Sequence, residues 1–133
     1  MNKILIIENE YASVKPAFDS ANTLRFNDKL NFENISKAQE IDYHHLNDYL
    51  VIFIDISLAK RSDLDGFGII EKIKSTCLDV LSRIVIITGN NKINDLIDKH
   101  NLSKDNITVL MKPIGFQEVE KIIREKGGDN LCM

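Results

Sequence analysis

The chain lacks three features that would point to common protein classes. Its two cysteines, Cys77 and Cys132, have neither the spacing of a metal site nor that of a disulfide framework. Its net charge of −3 argues against a nucleic-acid-binding module, because such modules are usually basic. No apolar run approaches the roughly 20 residues that a membrane helix needs. What remains is the profile of a globular protein of 133 residues, long enough to bury a core without disulfides.

The first residues, MNKILIIENE, also lack the pattern of a secretory signal peptide. One lysine precedes a short apolar run and acids follow it, which indicates a first β-strand. We therefore expect a cytoplasmic protein in a reducing compartment. We also expect one domain over residues 1–126 and a disordered tail over residues 127–133, because Gly127 and Gly128 end the last helical stretch.

Five apolar strand signals alternate with five helical stretches. The predicted strands are Lys3–Ile7, Leu30–Ile35, Tyr49–Asp55, Arg83–Ile87 and Ile107–Met111. The predicted helices are Glu10–Leu24 with Asn9 as N-cap and Pro16 as a kink, Ser36–Leu46, Gly66–Cys77, Asn91–His100 and Gly115–Lys126. This alternation predicts an α/β fold of three layers, in which helices cover both faces of a parallel sheet. Right-handed crossovers favour the flavodoxin-like strand order 2-1-3-4-5.

Polar side chains follow four of these strands where each strand ends. Asp55 ends the continuous apolar run YLVIFID, and Glu8 and Asn9 follow the first strand. Thr88 and Lys112 follow the fourth and fifth strands. Ligands of an open parallel sheet bind beyond the carboxyl ends of its strands, so we expect these side chains to converge there.

This set of side chains suits phosphoryl transfer. A carboxylate such as Asp55 can act as a nucleophile towards phosphorus, and carboxylate and amide oxygens suit Mg²⁺. The phosphoryl oxygens need a cation and a hydroxyl donor, which Lys112 and Thr88 would supply, while Gly89 would leave room for the group. Taken singly, Asp55 could cap a loop, Thr88 could cap a helix and Lys112 could be a surface lysine. Only the complete set favours a site.

Five segments in order carry a resemblance to a known family. They are KILIIENE, YLVIFIDISL, DGFGIIEKIK, RIVIITG and VLMKPIGFQEVEKII. Over Lys3–Lys126 the chain resembles the CheY-like receiver domain of two-component response regulators. The resemblance implies that Asp55 accepts phosphate from a histidine kinase or a histidine phosphotransfer protein. It implies Mg²⁺ held at the acidic-pair positions Glu8 and Asn9, at Asp55 and at the backbone carbonyl of Ser57, and a cis Lys112-Pro113 bond.

The chain departs from this family at three points. Asn9 replaces the carboxylate that usually binds the metal directly, so Glu8 or Glu10 would have to compensate. The loop Ile56–Asp65 is a few residues longer than usual and has no proline. Val109 occupies the position of an aromatic residue that usually relays the signal.

The expected function is that of a stand-alone receiver. It would signal through a downstream protein, as a monomer or weak dimer, without direct contact with nucleic acid or membrane. It would catalyse only its own phosphorylation and dephosphorylation. Asn9 and Val109 leave open a degenerate receiver that binds a partner without phosphorylation. A haloacid-dehalogenase-type phosphatase is the third alternative, although it would need a second aspartate where Ser57 stands.

Overall fold

The computed structural model describes residues 2–58 and 61–133 and contains a five-stranded, all-parallel sheet. The strands are β1 (Lys3–Ile7), β2 (Asn31–Ile35), β3 (Val51–Asp55), β4 (Ile84–Thr88) and β5 (Thr108–Met111). Their order is β2-β1-β3-β4-β5, which confirms the predicted fold class. In the predicted loop Ile56–Asp65, residues 59 and 60 lie outside the described residues.

In the described part of the chain, four α-helices pack on the two faces of this sheet. They are α1 (Tyr11–Arg25), α2 (Gly66–Thr76), α3 (Ile93–Lys99) and α4 (Phe116–Gly127). Alternate strand residues point to opposite faces, so each strand contributes to two cores. One core joins the strands to α1 and α4 through Phe18, Phe53 and Val119, and the other joins them to α2 and α3. None of the described helices is long and apolar enough to cross a membrane.

The predicted helix Ser36–Leu46 is wrong. The crossover from β2 to β3 consists of two 3₁₀ turns, Ala38–Glu40 and Tyr43–Asp48, with extended backbone between them. The Asp42 carboxylate accepts a hydrogen bond from the His44 amide at 3.2 Å and caps the second turn. Such a local side-chain bond competes with continuation of an α-helix.

The start of α1 also differs from the prediction. Its N-cap is Glu10, not Asn9, and the cap has no side-chain hydrogen bond. The helix continues through Pro16, whose missing amide leaves the exposed Ala12 carbonyl without its helical partner. An exposed carbonyl can be solvated by water, which explains why the helix tolerates this proline.

The C-terminal residues contact the sheet rather than extending freely. A 3₁₀ turn covers Gly128–Asn130, and Leu131 packs against the core beside α1 and α4. The Cys132 amide donates to Oδ1 of the buried Asn2 at 2.7 Å. The domain over residues 1–126 and the disordered tail over residues 127–133 both stay predictions.

Gly66, the first residue of α2, brings that helix against the end of β3. A Cβ atom at this position would lie 2.5 Å from the Asp55 carbonyl oxygen and 2.6 Å from the Ile56 Cα. Both neighbours are backbone atoms that a side-chain rotation cannot remove. Only glycine therefore permits this approach.

Candidate phosphoryl-acceptor site

A cavity of about 410 Å³ opens at the carboxyl edge of the sheet, where the sequence predicts a site. The lining residues are Asn9, Glu10, Asp55, Ser57, Thr88, Gly89, Asn90 and Lys112. Asp55 is the last residue of β3, Thr88 is the last residue of β4, and Lys112 directly follows β5. Asp55 and Thr88 are both almost fully buried, with 5% and 4% exposure. Strand register therefore brings the acid, the hydroxyl and the amine together.

Lys112 contacts two carboxylates. Its Nζ lies 3.2 Å from Asp55 Oδ2 and 3.0 Å from Glu8 Oε2. The Lys112 amide also donates to the Thr88 carbonyl at 2.8 Å, which extends the β4–β5 pairing by one residue. Burial alone would lower the pKa of Lys112, but the two carboxylates outweigh burial and raise this pKa. The side chain is therefore a firmly held cation.

Glu8 lies beneath the cavity and is fully buried. Its Oε1 accepts a hydrogen bond from the Glu10 amide at 3.0 Å. Its Oε2 is in ion-pair range of Lys112 but has no well-aligned hydrogen bond among the described residues. Burial first, and then the hydrogen bond and charge of Asp55, raise the pKa of Glu8 to about 7. A neutral Glu8 beside a charged Asp55 relieves the repulsion between two carboxylates.

Backbone amides orient the side chains of Asp55 and Thr88. Asp55 Oδ1 accepts from the Ser57 amide at 2.9 Å, so its two oxygens face different donors. Thr88 Oγ1 accepts from the Asn90 amide at 3.0 Å, which leaves the hydroxyl hydrogen free to donate. A Cβ at Gly89 would lie 3.8 Å from the Lys112 side chain, an ordinary contact distance. The packing at this position therefore does not require glycine.

No family model and no curated protein sequence match the chain. Solved structures do match it. The bacteriophytochrome response regulator RtBRR has a TM-score of 0.70 and 18% identity, over 100% of this chain and 81% of that one. A receiver domain of a DNA-binding response regulator from Colwellia psychrerythraea has a TM-score of 0.69 and 22% identity, over 94% and 97% of the two chains. A receiver-domain protein from Clostridium thermocellum has a TM-score of 0.69 and 21% identity, over 95% and 94%.

The chain has the response-regulator receiver fold. The strand order and the position of the cavity both follow from this fold. The Lys112-Pro113 bond is cis, as the resemblance implied. Val109 is half-buried on the α2 and α3 side of the sheet.

Most of the predicted site residues of the receiver fold lie on the cavity wall, and one does not. Asn9, Asp55, Thr88 and Lys112 line the cavity together with Ser57, whereas Glu8 lies behind them. Two lining residues were not proposed as site residues: Glu10, which was considered only as a substitute ligand, and Asn90. Glu10 follows the predicted acidic pair, and Asn90 follows Thr88 and Gly89. Their positions next to predicted site residues are the sequence signal that could have identified them. The chemical roles of all these residues stay proposals.

The oxygen donors on the wall suit a hard cation. The lining residues that carry such oxygens include Asp55 and Glu10 with their carboxylates, Asn9 with its amide and Ser57 with its backbone carbonyl. Mg²⁺ usually takes one or two carboxylates and keeps several waters, so the set fits this ion. Among residues 2–58 and 61–133 no group of three or more His, Cys, Asp or Glu side chains is arranged around a common point. A cation here would depend on few charged ligands.

The raised pKa of Glu8 predicts a specific pH dependence of stability. A carboxyl group whose pKa is higher in the folded state binds its proton more tightly there, so it favours folding at low pH. Its contribution is lost as the pH rises from about the ordinary value of 4.5 through about 7. Glu8→Gln has no titrating group at this position. We expect the stability of this variant relative to the wild type to rise across that range.

Urea unfolding at pH 4.5, 6 and 8 tests this expectation. The exposed Glu10→Gln variant is the control for losing a neighbouring carboxylate. A difference between Glu8→Gln and wild type that does not change with pH would mean that Glu8 is ionised over the whole range.

Proposed function

We propose that the protein is a signalling receiver in which Asp55 accepts a phosphoryl group from a histidine kinase or a histidine phosphotransfer protein. The observation that carries the proposal is the pairing of Asp55 Oδ2 with Lys112 Nζ at 3.2 Å on the wall of an open cavity. A nucleophilic carboxylate, a cation and the Thr88 hydroxyl beside one cavity are the groups that phosphoryl transfer requires.

The transfer can be written with these residues. A carboxylate oxygen of Asp55 attacks the phosphorus of a phosphohistidine, the P–N bond breaks, and its electron pair returns to the imidazole nitrogen, which takes up a proton. Lys112 and the Thr88 hydroxyl stabilise the charge on the transferred oxygens. Asp55, Asn9 and the Ser57 carbonyl would hold Mg²⁺, which supplies further positive charge to the phosphoryl oxygens when bound. Water would later hydrolyse the acyl phosphate.

The signal would pass to a downstream protein through contacts that depend on this modification. Phosphorylation adds about two negative charges beside Lys112 and Thr88. We propose that the protein works in the cytoplasm, as a monomer or weak dimer, and catalyses no reaction on other substrates.

Labelling with acetyl phosphate tests the proposal. In the presence of Mg²⁺, intact-mass analysis should show one added phosphoryl group on the wild type and none on Asp55→Ala. Asp19→Ala, which removes a half-exposed aspartate of α1, is the matched control and should be labelled like the wild type. Wild type that stays unlabelled would favour a phosphorylation-independent receiver. Turnover of a generic phosphate ester would instead favour a phosphatase.

Mg²⁺ affinity should increase in Asn9→Asp. This change restores a carboxylate on the cavity wall, and metal affinity is tuned over orders of magnitude by the number of charged ligands. We expect the dissociation constant to fall about tenfold or more in a calorimetric titration.

Asn90→Asp is the matched control for this prediction, because it adds the same charge elsewhere on the same wall. Its effect should be clearly smaller if Asn9 occupies a ligand position. Equal effects of the two variants would show that only the overall charge matters, and no gain in Asn9→Asp would show that Glu10 already supplies the missing carboxylate.

A further inference from the structure

The long loop between β3 and α2 is fastened to the β2–β3 crossover by three hydrogen bonds, which we name the loop clasp. Gln39 Nε2 donates to the Arg61 carbonyl at 2.7 Å, and Gln39 Oε1 accepts from the Asp63 amide at 2.9 Å. The Ala38 amide donates to Ser62 Oγ at 2.8 Å. The clasp thus joins the stretch 61–63 to the first 3₁₀ turn of the crossover.

The side chains of Gln39 and Ser62 each donate one hydrogen bond and accept another. Gln39 satisfies a carbonyl and an amide that are two residues apart, so it matches the loop backbone at two points. Ser62 accepts from Ala38 and donates to the Leu64 carbonyl at 2.6 Å. A side chain that both donates and accepts fixes the loop more specifically than a single bond does.

The clasped stretch is connected to the site through α2 and the end of β3. The Gly66 amide donates to the Ile56 carbonyl at 3.1 Å, and the Ile56 amide donates to the Ile87 carbonyl at 3.3 Å. The next amide, that of Ser57, binds Asp55 Oδ1. A shift of the loop near Leu64 therefore reaches Ile56 and Ser57 through backbone hydrogen bonds.

This loop needs an external anchor. The segment Ile56–Asp65 contains no proline that would restrict its backbone, and ordering each flexible residue costs about 1–2 kcal/mol. Its flanks are fixed by Leu58 and Leu64, which pack against the core, and by the Asp65 cap of α2. The clasp fixes residues 61–63, directly before Leu64.

We propose that Gln39 and Ser62 are positioning residues of the phosphoryl-acceptor site, which hold the loop so that the Ser57 carbonyl stays directed for cation binding. This inference rests on the proposed function and adds two residues from outside the cavity to it. Neither residue lines the cavity, so each acts through the loop and touches no ligand.

The test uses Gln39→Ala, Ser62→Ala and the double variant. Ser62→Thr keeps the hydroxyl and should restore wild-type behaviour, while Ser62→Ala should not. Ser75→Ala is the matched control, because the Ser75 hydroxyl bonds to the Lys72 carbonyl within α2, away from the loop.

Two measurements are made on each variant. Hydrogen exchange of the Ala38 and Asp63 amides reports on the clasp itself and should accelerate in the Ala variants. Mg²⁺ titration followed by amide chemical shifts reports on the site. Since one hydrogen bond changes an equilibrium by about two- to twelvefold, we expect Mg²⁺ to bind about three- to tenfold more weakly in the double variant.

The outcomes separate the inference from the proposed function. Faster exchange with unchanged Mg²⁺ affinity would overturn the positioning role and leave a clasp that only stabilises the fold. Unchanged exchange would overturn the clasp itself. If the wild type neither binds Mg²⁺ nor is labelled at Asp55, the proposed function fails and the inference fails with it. Labelling of the wild type with equal Mg²⁺ affinity in all variants overturns the inference alone.

Discussion

Lys112→Met should destabilise the protein by about 2–4 kcal/mol at pH 8 and by clearly less at pH 5. Lys112 is the cation that the described chain places beside the buried Glu8 and Asp55 carboxylates. Removing one partner of a buried ion pair typically costs about 3–5 kcal/mol, because an uncompensated charge is left behind. The Lys112 side chain is 27% exposed, so solvent screening reduces this cost.

The pH dependence follows from the protonation of Glu8. At pH 5 this carboxyl, with its pKa raised to about 7, carries its proton, and only Asp55 loses its cation. At pH 8 Glu8 is ionised in the wild type and Lys112 stabilises its charge, so the variant loses this stabilisation as well: its Glu8 has to keep its proton or face Asp55 as a second negative charge. The loss of stability should therefore grow as the pH rises through 7.

Guanidinium unfolding at the two pH values measures this effect. Lys121→Met is the matched control, since it removes an exposed lysine of α4 and should change stability by no more than about 0.5 kcal/mol. An equal loss at pH 5 and pH 8 in Lys112→Met would contradict the assignment of the raised pKa to Glu8.

The second large effect is expected from Gly66→Ala, which should destabilise the protein by about 2–4 kcal/mol. The added Cβ would meet the Asp55 carbonyl oxygen at 2.5 Å and the Ile56 Cα at 2.6 Å. Overpacking of a tight interior typically costs about 1–3 kcal/mol, and backbone atoms relax less readily than side chains. The same displacement would move the backbone of Asp55 and Ile56, and with it the Asp55 carboxylate and Ser57, so the proposed Mg²⁺ binding should weaken too.

Gly127→Ala provides the comparison within the same chain. Gly127 lies in α4 with φ −73°, and its added Cβ would be 3.5 Å from the nearest atom, in Leu131. Alanine is the better helix former by about 1 kcal/mol, so this variant should be neutral or more stable. Thermal or urea unfolding of both variants measures and compares their changes in stability. Similar losses at the two positions would show that the approach of Gly66 to β3 is not the cause.

The sheet and the cavity edge could be predicted from the sequence because their signals are local. A run such as Val51–Ile54 has no polar face, which fits only a strand that is covered on both sides. The last residue of each such strand then falls at one edge, so Asp55 and Thr88 had to be neighbours of one another. Because neighbouring strands of a parallel sheet run in the same direction, their last residues lie side by side, and no further sequence signal is needed to place them.

Features that depend on distant partners could not be predicted in this way. The segment Ser36–Leu46 does not form the expected single helix, and Gln39 instead binds the Arg61 carbonyl and the Asp63 amide of the loop. The complete burial of Glu8 results from packing around the end of β1, and the neighbouring sequence does not indicate it. Both outcomes depend on contacts between residues far apart in the chain.

The hydrogen bonds between Asn2 and Cys132 bring the two ends of the described chain side by side. Asn2 directly precedes β1, so this junction lies at the edge of the sheet opposite Asp55. Adjacent termini are the condition under which circular permutation and insertion into a host protein are tolerated. A short peptide could link residue 132 to residue 2 without crossing the cavity, so the receiver fold could be opened at another loop or carried inside a larger chain with the cavity edge still accessible.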